Sequence, residues 1–121
     1  MPRFDLTTDK NKWIEAVAKL TTLTQKKRLT WRTAAPPPDL LSERLRGNVL
    51  YEANHNGKTL RLYEKAESPF GQLIAVLELV DSSNSVWAFP STEAIKHLLA
   101  AVQYQIGQVG EFVDALLAEA V

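Results

Sequence analysis

Residues 48–65 read NVLYEANHNGKTLRLYEK. Two runs of alternating side chains flank Asn56-Gly57, the dipeptide best suited to a two-residue type I′ turn because both central positions need φ > 0. The spacing predicts a β-hairpin and, with it, a register. His55 faces Lys58, Ala53 faces Leu60, Tyr51 faces Leu62 and Val49 faces Glu64. Side chains alternate between faces along a strand. Val49, Tyr51, Ala53, Leu60 and Leu62 therefore share one side, the expected core face. Leu50, Glu52 and Asn54 oppose Tyr63, Arg61 and Thr59 on the other, mixed face. Glu52 and Arg61 stand directly opposite each other, a cross-strand pair of about 0.2–1 kcal/mol.

On the C-terminal side, Ala66 to Gly71 reads as a turn or short loop. Gln72 to Val80, QLIAVLELV, then forms a run that is nearly apolar on both faces. Such a run is usual for a central strand covered at least in part on both sides. Leu73, Ala75, Leu77 and Leu79 fall on one side; Ile74, Val76, Glu78 and Val80 fall on the other. Asp81-Ser82-Ser83-Asn84 turns the chain, and Ser85 to Phe89 returns as a further strand containing Trp87. Ser91 is the expected N-cap of a helix over about 91–106, with Ile95, Leu98, Leu99, Val102 and Ile106 as its apolar stripe. Gly107 and Gly110 interrupt the pattern. It resumes with Phe112, Val113, Leu116 and Leu117, so a second helix is expected over about 110–120.

On the N-terminal side, Thr7, Thr8 and Asp9 are N-cap candidates for a helix over about 9–27. Trp13, Ala16, Val17, Leu20 and Thr24 form its inner face, with Trp13 as a core anchor. A short β-prone run follows at Leu29 to Thr33. Ala34-Ala35-Pro36-Pro37-Pro38 makes a stiff connector, since proline lacks an N–H and favours extended backbone. Asp39 to Arg46 is expected to make one or two helical turns ending at Gly47. The elements imply an α+β domain over 1–121. It comprises an antiparallel β-meander of four to five strands over about 29–89, flanked by the N-terminal helix and two C-terminal helices.

A chain of 121 residues suits one domain, and a hydrophobic content of 45% with 23% charged residues is ordinary for a globular protein. The absence of cysteine excludes disulfides, thiolate metal sites and a cysteine nucleophile, and agrees with a cytoplasmic location. MPRFDLTTDK contains no apolar leader core and no run approaches a membrane span, so neither secretion nor membrane insertion is expected. The net charge is zero but unevenly placed. Residues 1–65 hold thirteen Lys/Arg and seven Asp/Glu, a balance of +6, whereas residues 66–121 hold one Lys/Arg and seven Asp/Glu, a balance of −6. Either the halves complement each other within one molecule, or the split serves steering or head-to-tail self-association.

Trp13, Val17, Leu20 and Thr21 lie near the start, and Leu29-Thr30-Trp31 follow. Towards the end come Val102, Gln105 (or Gln103), Val109, Val113, Leu116 and Leu117. In this order and around a meander, these residues resemble small bacterial proteins of unknown function. The resemblance implies a bacterial, mobile-element or accessory protein and carries no catalytic residues to transfer.

Chemistry-bearing residues are few. His55 sits beside the hairpin turn and His97 on the polar side of a helix, where Glu93 is in reach one turn earlier. Neither belongs to a zinc-binding spacing, and no nucleophile elbow, phosphate loop or dinucleotide fingerprint occurs. No metal or cofactor is expected, and an enzymatic role is not. The mixed sheet face, with Leu50, Glu52, Arg61, Tyr63, Ile74, Val76 and Glu78, is a candidate interaction patch, as is the helix surface around Tyr104. The competing possibility is that the first helix or the Pro-rich loop covers this face. The expected function is a protein-interaction or self-associating module, with a protein partner or a homodimer. The alternative is a nucleic-acid-binding accessory protein using Lys26, Lys27, Arg28, Trp31 and Arg32, with Arg44 and Arg46, where cations meet phosphate and a tryptophan stacks on a base. A pI near 6.7 weighs against that alternative.

Overall fold

The computed structural model describes residues 10–67 and 71–120. The N-cap candidates Thr7, Thr8 and Asp9, and the centre of the expected turn at 68–70, lie outside the described residues. The meander is present: β1 (Arg32–Ala34), β2 (Leu50–His55), β3 (Lys58–Ala66), β4 (Leu73–Val80) and β5 (Val86–Ala88) form one antiparallel sheet in chain order. Asn56 and Gly57 take φ of 51° and 76°, as a type I′ turn requires. The register follows from them, with His55 opposite Lys58, Ala53 opposite Leu60 and Tyr51 opposite Leu62. Val49 lies one residue before β2 and does not join the pairing with Glu64.

The face expected to be core is core. Ala53, Leu60, Leu62, Ala75 and Leu77 are buried against Val17 of α1 (Lys10–Gln25) and Ile95, Leu98, Leu99 and Val102 of α2 (Glu93–Ile106). Burial of this apolar stripe, at about 25 cal/mol per Å², is the main force holding helices to sheet. Trp13 packs edge-on against Phe89 at 5.2 Å, closing α1 over the exit of β5. The β4–β5 turn is held by Asp81, whose Oδ1 accepts from the backbone N–H of Ser83 and of Ser85 at 2.9 and 3.0 Å.

Several boundaries differ from expectation, each for a physical reason. The first strand begins at Arg32, not Leu29, because Leu29 and Trp31 leave the sheet to enter the helix-side core. α1 ends in a Schellman turn, with Lys27 at φ 59° and Arg28 N–H donating to Leu23 O at 2.9 Å. The N-cap of α2 is Thr92, not Ser91, and its side chain makes no capping hydrogen bond. The expected turns at 39–46 appear as 3-10 turns at Pro38–Leu40 and Arg46–Asn48.

The second sheet face is covered, and the Pro-rich segment covers it. Leu40 and Leu45 from this strap pack on Leu50 and Tyr63, with Ala34 and Val76 at the margin. The strap is clipped to β3 by a backbone bridge between Leu45 and Lys65 and by Ala66 N–H donating to Arg44 O at 3.2 Å. α3 (Val109–Ala118) follows α2 through Gly107-Gln108, with Gln108 in the left-handed region at φ 52°.

Candidate functional site

The mixed face is not the open patch the sequence suggested. Beneath the strap, Leu50, Tyr63 and Arg61 are buried, the last only 6% exposed. Glu52, Ile74, Val76 and Glu78 are partly covered. Arg61 does not bond to Glu52 across the strand pair. Its Nε donates to Glu78 at 2.5 Å and its Nη2 to Asp39 at 2.6 Å, while Glu52 takes Arg32 at 3.4 Å. Arg61 chooses the partners that satisfy its planar donor fork from two sides once it is buried. Burial opposes its charge, but the hydrogen bonds it donates to Asp39 and Glu78 outweigh that and raise its affinity for the proton. Burial, followed by the neighbouring Glu78 charge, holds the Tyr63 phenol protonated well above its usual range. This cluster fastens the strap to the sheet.

The basic stretch fares similarly. Trp31 is 3% exposed, and its indole N–H donates to Thr24 Oγ1 at 3.0 Å, so it offers no stacking face to a base. Lys27 is ion-paired with Glu111 and Arg32 with Glu52. Lys26 and Arg28 remain exposed. Arg46 is within 3.4 Å of Glu64.

Gln105 organises the junction of α1, β1 and α2. Its Oε1 accepts the Trp31 backbone N–H at 2.8 Å, and its Nε2 donates to Thr24 O at 3.0 Å and Leu29 O at 2.9 Å. Both ends of the amide are thereby used. Beside it lies a groove of about 590 Å³, floored by Ala100 and Ala101 and bounded by Tyr104, His97, Lys27 and Glu111. His97 belongs to this rim and does not receive Glu93, which pairs with Lys96 at 3.2 Å. A second depression of about 460 Å³ lies between α2 and the sheet, with Arg46 and Lys96 at its edge, both already paired to carboxylates.

The groove leads directly onto α3, the most unusual element of the molecule. None of its residues is buried. Val109, Phe112, Val113, Leu116 and Leu117 follow i, i+3, i+4, i+7, i+8 spacing and so form one stripe. That stripe faces outward: Phe112 is 67% and Leu117 78% exposed. The opposite, polar side of α3 is the one tied to the body. Glu111 accepts from Lys27, which holds the Glu111 carboxyl below its usual range, and Asp114 adds its charge at Lys27. Tyr104 of α2, itself 54% exposed, lies under the first turn of α3, where a Cβ on Gly110 would come within 3.2 Å of its hydroxyl. Gly110 thus permits the close approach that sets α3 with its apolar side to solvent.

Of the residues singled out from sequence for interaction, Tyr104 lies on this surface. Leu50, Glu52, Arg61, Tyr63, Ile74, Val76 and Glu78 belong to the covered sheet face. In the sequence, Phe112, Val113, Leu116 and Leu117 read only as helix-forming apolar positions. Their periodicity is visible, but an amphipathic stripe is ordinarily a core signal. Among the described residues no group of three or more His, Asp or Glu side chains is placed to hold a metal ion, and no helix is long and apolar enough to cross a membrane. No protein family, curated protein or solved structure matches the chain.

Proposed function

We propose that this chain is a protein-interaction module whose docking surface is the outer face of α3 together with Tyr104. One observation carries the reading: a complete amphipathic stripe turned to solvent while the polar side of the same helix is salt-bridged inward. Scattered exposed apolar residues are ordinary, but a contiguous stripe of five with an adjoining aromatic marks a surface whose exposure to water costs free energy that covering it would recover. The groove beside it extends the surface onto α2.

The test compares the full chain with the double variant Phe112→Ser, Leu117→Ser as bait in extracts of the source cell. Because both side chains are exposed, the variant is expected to keep the far-UV circular dichroism and melting temperature of the parent. The parent should retain a partner, a second copy or another protein, that the variant loses. Equal recovery by both would remove α3 as the docking surface.

A further inference from the structure

We infer that the occupant of the α3 face is a second copy of this chain, related by a two-fold axis that sets the two α3 helices antiparallel across their apolar stripes; this rests on the interaction reading above. The distribution of charge is the first reason. Glu111 and Asp114 lie on the side of α3 that meets Lys27 of the same molecule, so the stripe itself contains no charged residue. Two such stripes can meet with no like charges between them.

The second reason is what the antiparallel arrangement brings together. The C-terminal end of each α3, with Leu117 and then Glu119, arrives over the start of the other α3. There Tyr104, 54% exposed and lying against the first turn of α3 at Gly110, adds an aromatic surface for Leu117. The acidic Glu119 comes near the positive N-terminal end of the facing helix, a match of sign.

The third reason is area. Val109, Phe112, Val113, Leu116, Leu117 and Tyr104 are 39–78% exposed, which leaves on the order of 600 Å² uncovered if each side chain contributes roughly 150–230 Å² when free. Two copies then bury about 1,200 Å², the lower end of specific interfaces, which calls for a dimer that dissociates in the micromolar range.

Sedimentation of the full chain from about 1 to 200 μM tests this. A concentration-dependent monomer–dimer equilibrium is expected. Phe112→Ser and Leu116→Ser should each weaken it at least about tenfold, with melting temperature unchanged at the dilute end. The chain has no cysteine, so Val113→Cys, at the centre of the stripe, supplies a single thiol near the axis. Mild oxidation should link it to its own counterpart, whereas Ser82→Cys in the β4–β5 turn should stay monomeric. A strict monomer with no Val113→Cys cross-link overturns the second-copy inference, as does a dimer that both serine variants leave intact. In either case the interaction reading survives only if the bait experiment recovers a different protein that needs Phe112 and Leu117. If it recovers none, both fall.

Discussion

Gln105→Glu alters one terminal group and reverses the electrostatics of the junction that holds α1 against α2. The amide now accepts from Trp31 N–H and donates to Thr24 O and Leu29 O. A carboxylate keeps the first bond and turns an oxygen towards two carbonyl oxygens. Two hydrogen bonds of about 0.5–1.5 kcal/mol each are lost, and anion–carbonyl repulsion in a half-buried site adds to that, so the expected loss at pH 7 is about 2–4 kcal/mol. The protonated acid can still donate to one carbonyl, which shrinks the deficit to about 1 kcal/mol. The neutral form is therefore favoured in the folded state, and the folded carboxyl pKa lies above the unfolded value of about 4.3. The sign follows: relative to the parent, the variant is most stable below about pH 4.3, declines as pH rises through a window of one to two units, and is level above it. Urea unfolding followed by tryptophan fluorescence at pH 4 and pH 7, with the parent at both, reads the difference directly. A variant within about 0.5 kcal/mol of the parent at pH 7, or a deficit equal at both pH values, would refute the assigned geometry.

Three further outcomes concern the strap and the α2 entrance. Glu78 is nearly buried and Asp39 half exposed. Glu78→Gln should therefore cost about 2–3 kcal/mol by leaving Arg61 underpaired, and Asp39→Asn less than about 1 kcal/mol; equal losses in thermal melts would contradict the burial argument. The hydrogen bond from Arg61 holds the Asp39 carboxyl below its usual range, so its contribution is present above the unfolded carboxylate pKa and lost as pH falls through the depressed folded value. Hydrogen exchange over residues 37–45 should accordingly rise in acid before the helix-side core loosens. The hydroxyl of Thr92 is buried with no hydrogen-bond partner among the described residues and caps nothing. Thr92→Val should gain about 1 kcal/mol where an ordinary N-cap would lose it, and a lower melting temperature would show that the hydroxyl caps α2 after all.

Much of this fold is legible from residue order because the signals are local. Asn56-Gly57 supplies two positive-φ positions, and the strand period then places Ala53, Leu60 and Leu62 on one face without reference to anything distant. The stripe of Ile95, Leu98, Leu99 and Val102 needs only the helical period. The candidate site is less legible. Tyr104 is apparent as a surface residue, but the α3 stripe looks in sequence like any core-facing helix.

By itself, then, the sequence determined the meander, its register, the number of helices and the division of the sheet into two faces, all consequences of backbone preferences and side-chain period over a few residues. Only the tertiary structure decided what covers the second face, which carboxylates hold Arg61, and which way α3 turns. Asp39 reaches Arg61 from 22 residues away and Lys27 reaches Glu111 from 84. Such pairings are chosen by competition among partners brought together after the chain has folded. A helical period reports that α3 has an apolar side; only the fold shows that this side faces water while the polar side meets Lys27.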